Sequence, residues 1–309
     1  MKRNIINFIK EYGIGLFISK SIRRLCLKSD STIATKINTY NEEKEIKILS
    51  SIVLNKGLEE ENVFERKCSI TTEPIWIMWW QGYDQAPEIV KACINSVKKN
   101  NLNHEVILIT KDNFQKYIDL PAYILKKVSL GYISVTHLSD MIRVLLLYIY
   151  GGVWCDATIL CDQPINNEVF KSEFYTIKVG ATTKEPSHGN WTTFFMSSRP
   201  NNMLMKKLVD YHFQFWKEHN EIIDYIMFDY LIRIILQNNN EIKRQVEMVP
   251  LNNQNVFKLD SYINTSYDSK TKALIEKLEK NTYLFKLSWK DKFVNNNNSL
   301  YHHILNTYL

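Results

Sequence analysis

The chain has 309 residues, with 39 Lys and Arg against 33 Asp and Glu for a net charge of +6, and 45% of its residues are hydrophobic. Nine Gly and seven Pro give the profile of a globular protein and exclude a disordered or collagen-like one. The positive charge is modest, and no basic stripe interleaves with stacking aromatics, which speaks against a nucleic-acid partner.

Five cysteines, Cys26, Cys68, Cys93, Cys155 and Cys161, form no C-x-x-C pair and leave one over. Neither a zinc site nor a complete disulfide framework is indicated, and a reducing cytoplasm is the simpler setting.

In chain order, residues 1–28 mix Ile5, Ile6, Phe8, Ile9, Ile14, Leu16, Phe17, Ile18 and Ile22 with Lys2, Arg3, Lys10, Lys20, Arg23, Arg24 and Lys28. Lys10 and Glu11 interrupt the apolar residues, so nothing approaches the roughly 20 residues that span a bilayer. Two readings remain open: a helix lying on the inner face of the cell membrane, and a helix docked on the main fold. Residues 29–70 are polar and charged with helix-compatible stretches, so 1–70 reads as a helical extension ahead of a main domain at 71–309.

From Pro74 onward, strand-like and helix-like segments alternate. Ile75–Trp80 (IWIMWW) is a short apolar run suited to a strand covered on both faces. Pro87 fits the first turn of a helix that carries Ile89, Val90, Cys93, Ile94 and Val97 on one face. Glu105–Thr110 is the next strand, and a helix follows from about Pro121 to Leu130. Strand, helix and strand in this order predict a right-handed crossover and a parallel sheet, with ligands beyond the carboxyl ends of the strands. Gln81 to Asp84 then lie at the ligand rim.

The stretch Thr136–Asp162 carries the most information. Ser139 to Tyr150 reads as a helix, Gly151-Gly152 as its stop, and Val153–Cys155 as a strand that delivers Asp156 to the rim. Asp140 and Arg143 are three apart, so they share one helix face. An ion pair, a close backbone turn and a carboxylate at a strand end suit a polar ligand carrying phosphate. An ordinary surface ion pair, helix stop and turn former account for the same residues equally well.

The ordered run Ser139-Asp140, Arg143, Tyr150-Gly151-Gly152-Val153-Trp154-Cys155-Asp156-Ala157-Thr158 resembles the signature of glycosyltransferase family 32, and of the bacterial capsular polysaccharide synthesis proteins within it. PIWIMWWQGYDQAP resembles that family's first strand and loop, and weaker likeness continues through WTTFFMSS, IIDYIMFDYLI and FKLSWK. The resemblance implies a GT-A fold, with a Rossmann-like, mostly parallel α/β sheet over 71–309. It implies a UDP-sugar donor, most simply a UDP-hexose or UDP-N-acetylhexosamine, and transfer with retention to a growing surface glycan or lipid-linked oligosaccharide. Asp140 and Arg143 would then grip the donor sugar and phosphate, and Asp156 the ribose and a Mn²⁺ or Mg²⁺ ion. The family's D-x-D motif offers two carboxylates to that ion, whereas here the second position is Thr158, whose hydroxyl is a poorer ligand. Asp162, His302 or His303 are candidates to complete the metal site, unless basic side chains neutralise the diphosphate instead.

Further candidates stand beside that run. Trp79, Trp80 and Tyr83 suit stacking on a base, and equally the core. His188 precedes a strand in a loop. Asp224 and Asp229 are unusual on an apolar helix, and Asp229 ranks first for acceptor contact. Arg199 and Lys290 are candidate diphosphate partners. The competing function is a non-catalytic nucleotide-sugar or glycan-binding protein in which Thr158 marks a decayed metal site. A sugar-phosphate nucleotidyltransferase would need a glycine-rich loop after the first strand, and Gln81-Gly82-Tyr83-Asp84 has one glycine.

Overall fold

A computed structural model describes residues 5–26, 31–54, 64–181, 185–290, 293 and 296–309. Three helices come first: α1 (Ile5–Tyr12), α2 (Ile14–Cys26) and α3 (Thr32–Val53). The main α/β body follows with β1 (Ile75–Met78), α4 (Glu88–Asn100), β2 (Val106–Ile109), α5 (Ala122–Ser129), α6 (Val135–Tyr150), β3 (Gly152–Cys155) and β4 (Ile159–Cys161). Next come α7 (Asn167–Lys171), β5 (Phe174–Thr176), β6 (Phe195–Ser198), α8 (Met203–Glu218), α9 (Met227–Asn238) and α10 (Asn240–Met248). The chain closes with α11 (Ser269–Glu279), β7 (Leu284–Lys286) and α12 (Leu300–Tyr308).

Five strands form the main sheet in the order β2-β1-β3-β6-β5. β1 pairs in parallel with β2 and β3, β6 runs antiparallel to β3, and β5 antiparallel to β6, so β6 alone is reversed. The parallel core expected from the strand–helix–strand order is therefore present. Strand alternation explains why IWIM is apolar throughout. Trp76 and Met78 face a core layer built by α5, α6, α8 and α9, while Ile75 and Ile77 face the opposite layer with α4, α12 and β4.

Helix α6 begins four residues earlier than its apolar pattern suggests. Ser134 caps it, accepting from the His137 amide, and the first turn holds Val135, Thr136 and His137, all weak helix formers. The glycine pair that follows is a packing requirement. Gly151 and Gly152 have φ of 71° and 87°, and a Cβ on Gly152 would sit 2.2 Å from the Pro74 carbonyl oxygen. Only a bare backbone lets β3 enter beside β1 there.

The N-terminal helices pack on the main domain. Phe8, Tyr12, Leu16, Leu49 and Val53 are buried in the same core layer as α8 and α9. The Tyr12 hydroxyl donates to the Glu221 carbonyl, Lys20 pairs with Asp224, and Glu11 accepts from the Asn220 and Glu221 amides. The opposite face of α2 exposes Ile14, Ile18, Ile22 and Leu25, a stripe at helical spacing. Lys2, Arg3 and Lys28 lie outside the described residues, among which no helix is long and apolar enough to cross a membrane.

Candidate active site

A cleft of about 620 Å³ opens at the carboxyl ends of β1 and β3, lined by Trp79, Trp80 and Gln81 from one strand end and Asp156, Ala157 and Thr158 from the other. Parallel pairing brings these ends to one rim, as a doubly wound sheet requires. The remaining wall comes from α6 (Thr136, Ser139, Arg143), from Tyr225, and from the segment leaving β7 (Lys286 to Lys290).

Asp156 is the hub. Its Oδ1 accepts from the Trp154 indole at 2.9 Å and from Arg143 Nη2 at 3.3 Å, and its Oδ2 accepts from Lys286 Nζ at 2.8 Å. Burial alone would raise its pKa, but the Lys286 ammonium and Arg143 guanidinium outweigh that, so the carboxylate is held below its ordinary range. It is ionised at neutral pH.

Arg143 is 4% exposed, which removes the reading of an ordinary surface ion pair. Its guanidinium donates to the Thr193 carbonyl, faces Asp140 at 3.4 Å, and lies over the Trp154 and Phe228 rings at 4.9 and 5.3 Å. Asp140 is buried behind it and outside the cleft wall, also 3.5 Å from His137 Nδ1. Arg143 therefore meets the cleft while Asp140 orients it. Buried His212 stands behind the pair; burial pushes its pKa down to about 4, so it is a neutral neighbour.

The hydroxyl of Thr158, at the position of the second D-x-D carboxylate, is also occupied. Thr158 Oγ1 lies 2.7 Å from Lys286 Nζ. Antiparallel pairing of β4 with β7 sets Ile159 opposite Lys286, and the Leu287 amide donates to the Thr158 carbonyl at 2.9 Å, so the lysine is delivered by register. Asp162 lies in a separate small cavity with Glu279 and His303, and His302 on α12 contacts Ser299. Among the described residues no cluster of three or more His, Cys, Asp or Glu could hold a metal ion. The donor set of one carboxylate and one hydroxyl, both bound to an ammonium, does not fit a divalent cation.

The other sequence candidates divide. Trp79 packs edge-on against Trp289 at 5.6 Å within the cleft wall, and Trp80 and Lys290 also line it. Tyr83 turns to α4 instead, with its hydroxyl 3.2 Å from Asn95 Oδ1 and Lys91 and Lys98 against its ring. Gly151 and Gly152 serve strand entry and do not line the cleft. His188 is tied to Glu42 and Arg233, Asp224 to Lys20, and Arg199 to Glu173 and the Lys171 carbonyl. Asp224 and Arg199 satisfy ion pairs and His188 a polar cluster, so side chains that looked free in the sequence have partners in the fold.

Asp229 lines a second cavity of about 590 Å³ with Trp191, Phe194, Ile226 and Phe257, and Phe257 borders both spaces. Burial pushes its pKa up to about 7, although the Trp191 indole donates to its Oδ1 at 2.8 Å. Sequence reasoning missed Lys286, Tyr225 and Trp289. The signal for Lys286 was a lysine set between the apolar Leu284, Phe285 and Leu287; its partner strand could not be read locally.

A family model described as "Capsular polysaccharide synthesis protein" matches residues 23–304. No curated protein matches the chain. Among solved structures, one titled "PaToxG Glycosyltransferase" aligns over 82% of this chain and 98% of its own, at 14% identity and a TM-score of 0.38.

Proposed function

The chain belongs to the capsular polysaccharide synthesis protein family, and from that premise we propose that it is a glycosyltransferase using a nucleotide-sugar donor. The observation that carries this is the convergence of Arg143, Lys286 and ionised Asp156 at the carboxyl ends of two parallel strands, in a cleft walled by Trp79, Trp80 and Trp289. Aromatic walls suit a base and a sugar ring, and fixed cations suit a diphosphate.

In this reading the donor is a UDP-hexose or UDP-N-acetylhexosamine, the fold is of GT-A type, and transfer proceeds with retention. Asp156 locks Arg143 and Lys286 in place, so their charges meet the leaving diphosphate without reorganisation. Asp140 holds the guanidinium from behind. The acceptor is a growing surface glycan or a lipid-linked oligosaccharide, and its sugar enters the adjoining cavity over Trp191, Phe194 and Phe257. Near neutral pH, Asp229 exchanges a proton readily and can donate to or accept from a sugar hydroxyl.

The exposed stripe Ile14, Ile18, Ile22 and Leu25, beside exposed Lys10 and Arg24, gives the N-terminal helices a peripheral contact with an anionic membrane surface. That would bring a lipid-linked acceptor to the cleft.

Incubation with a panel of nucleotide sugars, followed by assay of released nucleoside diphosphate, tests the central assignment. Turnover of one donor supports it. Tight binding of a donor without turnover favours the alternative of a non-catalytic binding protein, to which the hydroxyl at Thr158 also points.

A further inference from the structure

We propose that the Lys286 ammonium does the work of a divalent cation in this cleft, binding the donor's diphosphate directly, so that donor binding and transfer need no metal. The inference rests on the nucleotide-sugar reading and identifies the group in that site which takes the diphosphate.

Three observations on one side chain support it. Nζ sits 2.8 Å from Asp156 Oδ2 and 2.7 Å from Thr158 Oγ1, the two side chains that flank Ala157 where a D-x-D motif would present its metal ligands. A lysine ammonium has three N–H donors and no acceptor, so these contacts leave one for a ligand phosphate. The side chain is 25% exposed on the cleft wall, and its backbone is pinned by the Lys286 amide to the Val256 carbonyl at 2.8 Å. A charge held this way on a strand needs little reordering to meet an anion.

Charge balance gives the same answer. Two carboxylates holding a divalent cation sum to zero, and Asp156 with the Lys286 ammonium sums to zero as well, the Arg143 charge being balanced by Asp140 at 3.4 Å. Replacing a carboxylate by Thr158 removes one negative charge, and Lys286 supplies one positive charge where a metal supplies two. A divalent ion added to the present set would have to displace the lysine from Asp156 and settle for a hydroxyl as its second protein ligand. Arg143, across Asp156 from Lys286, completes a clamp of two cations on one carboxylate.

In the transfer step, the bond between the anomeric carbon and the β-phosphate oxygen breaks and its electron pair goes to that oxygen. Lys286 and Arg143 hold the charge that develops. The acceptor hydroxyl oxygen bonds to the anomeric carbon, and its proton leaves with the diphosphate.

The test is calorimetric binding of UDP, GDP, ADP and uridine to the full chain stripped with EDTA, repeated with excess Mn²⁺. The expected result is that a nucleoside diphosphate binds with the same Kd in both arms, to within about a factor of two. Lys286→Met should weaken that binding about tenfold or more, leave uridine binding unchanged, and be largely restored in Lys286→Arg. Binding that requires Mn²⁺, or a Lys286→Met protein that binds the diphosphate as the wild type does, overturns the proposal and leaves the donor reading standing. Absence of binding by every nucleoside diphosphate in both arms removes the donor reading and this proposal together. The EDTA comparison uses only the wild-type chain, so it decides whether a metal is needed even if a variant fails to fold, and Lys286→Arg, which keeps the charge, then tests the part of Lys286.

Discussion

Lys20 of α2 reaches across to Asp224, the carboxylate just ahead of α9, and the same ammonium lies 2.5 Å from Glu45 of α3. One lysine therefore stitches the N-terminal helices to the main domain through two carboxylates that are almost wholly out of water. Removing Lys20 leaves two buried carboxylates without the cation they share, with Glu45 keeping the Asn41 amide and Asp224 the Ile226 amide and the more distant Arg23, at a cost of about 3 kcal/mol. Lys20→Ala should lower Tm by roughly 5 °C or more, measured by calorimetry. A change within error would mean that α2 is only loosely held.

The outward stripe on α2 should behave oppositely. Substituting Ile14, Ile18 and Ile22 together by Gln leaves the buried side untouched, so Tm should hold. Co-sedimentation with phosphatidylglycerol vesicles at low salt should be lost in the triple variant and, in the wild type, released by salt, since each nearby basic residue contributes roughly 1 kcal/mol at such a surface. Sedimentation of the variant equal to that of the wild type rules the stripe out as the contact.

Asp156→Asn keeps the shape of the hub and removes its charge. Lys286 and Arg143 then lose the anchor that fixes them, and donor turnover should fall by two orders of magnitude or more, on the order of 3 kcal/mol in the barrier. A saturating donor with near wild-type turnover contradicts the assignment.

Arg143→Lys retains a positive charge but loses the fork that spans Thr193, Asp140 and Asp156. Turnover should drop at least about tenfold while the diphosphate still binds measurably. Because the guanidinium is buried between two rings, Arg143→Ala should cost stability as well as rate, and thermal melting separates the two effects.

Asp229 sets a pH dependence. Burial raises its pKa in the fold to about 7, so the native state binds a proton that the unfolded chain releases near pH 4. Its contribution to stability is complete below the unfolded value and is lost as pH rises through about 7. Asp229→Asn should therefore come closest to the wild type below about pH 4, gain on it progressively as pH rises, and melt a few degrees higher above pH 8, while losing transfer throughout. Identical pH–Tm curves for the two proteins would show that Asp229 does not titrate in this range.

Much of the site was legible where its signals are local. The apolar run at Ile75–Met78, the helix stop at Gly151-Gly152 and the strand delivering Asp156 follow from periodicity and backbone sterics within a few residues, and the pairing of Asp140 with Arg143 follows from helical spacing. The second cavity was foreshadowed too, because Asp229 is a carboxylate in an apolar helix. What the sequence did not disclose depends on residues far apart in the chain. Lys286 meets Asp156 across 130 positions, through the antiparallel register of β4 and β7. That register alone decides which strand residue faces the cleft, since a slip of one position turns the side chain to the other face. The glycine pair proved to be a matter of steric clearance against Pro74, which no local pattern reveals. Polar side chains such as His188, Asp224 and Arg199 look equally available along a sequence, and only packing shows which find partners. Amphipathic helices α1 and α2 announce an apolar face by themselves; tertiary structure divides it into a side buried against α3 in the core layer that also holds α8 and α9, and a side left to solvent.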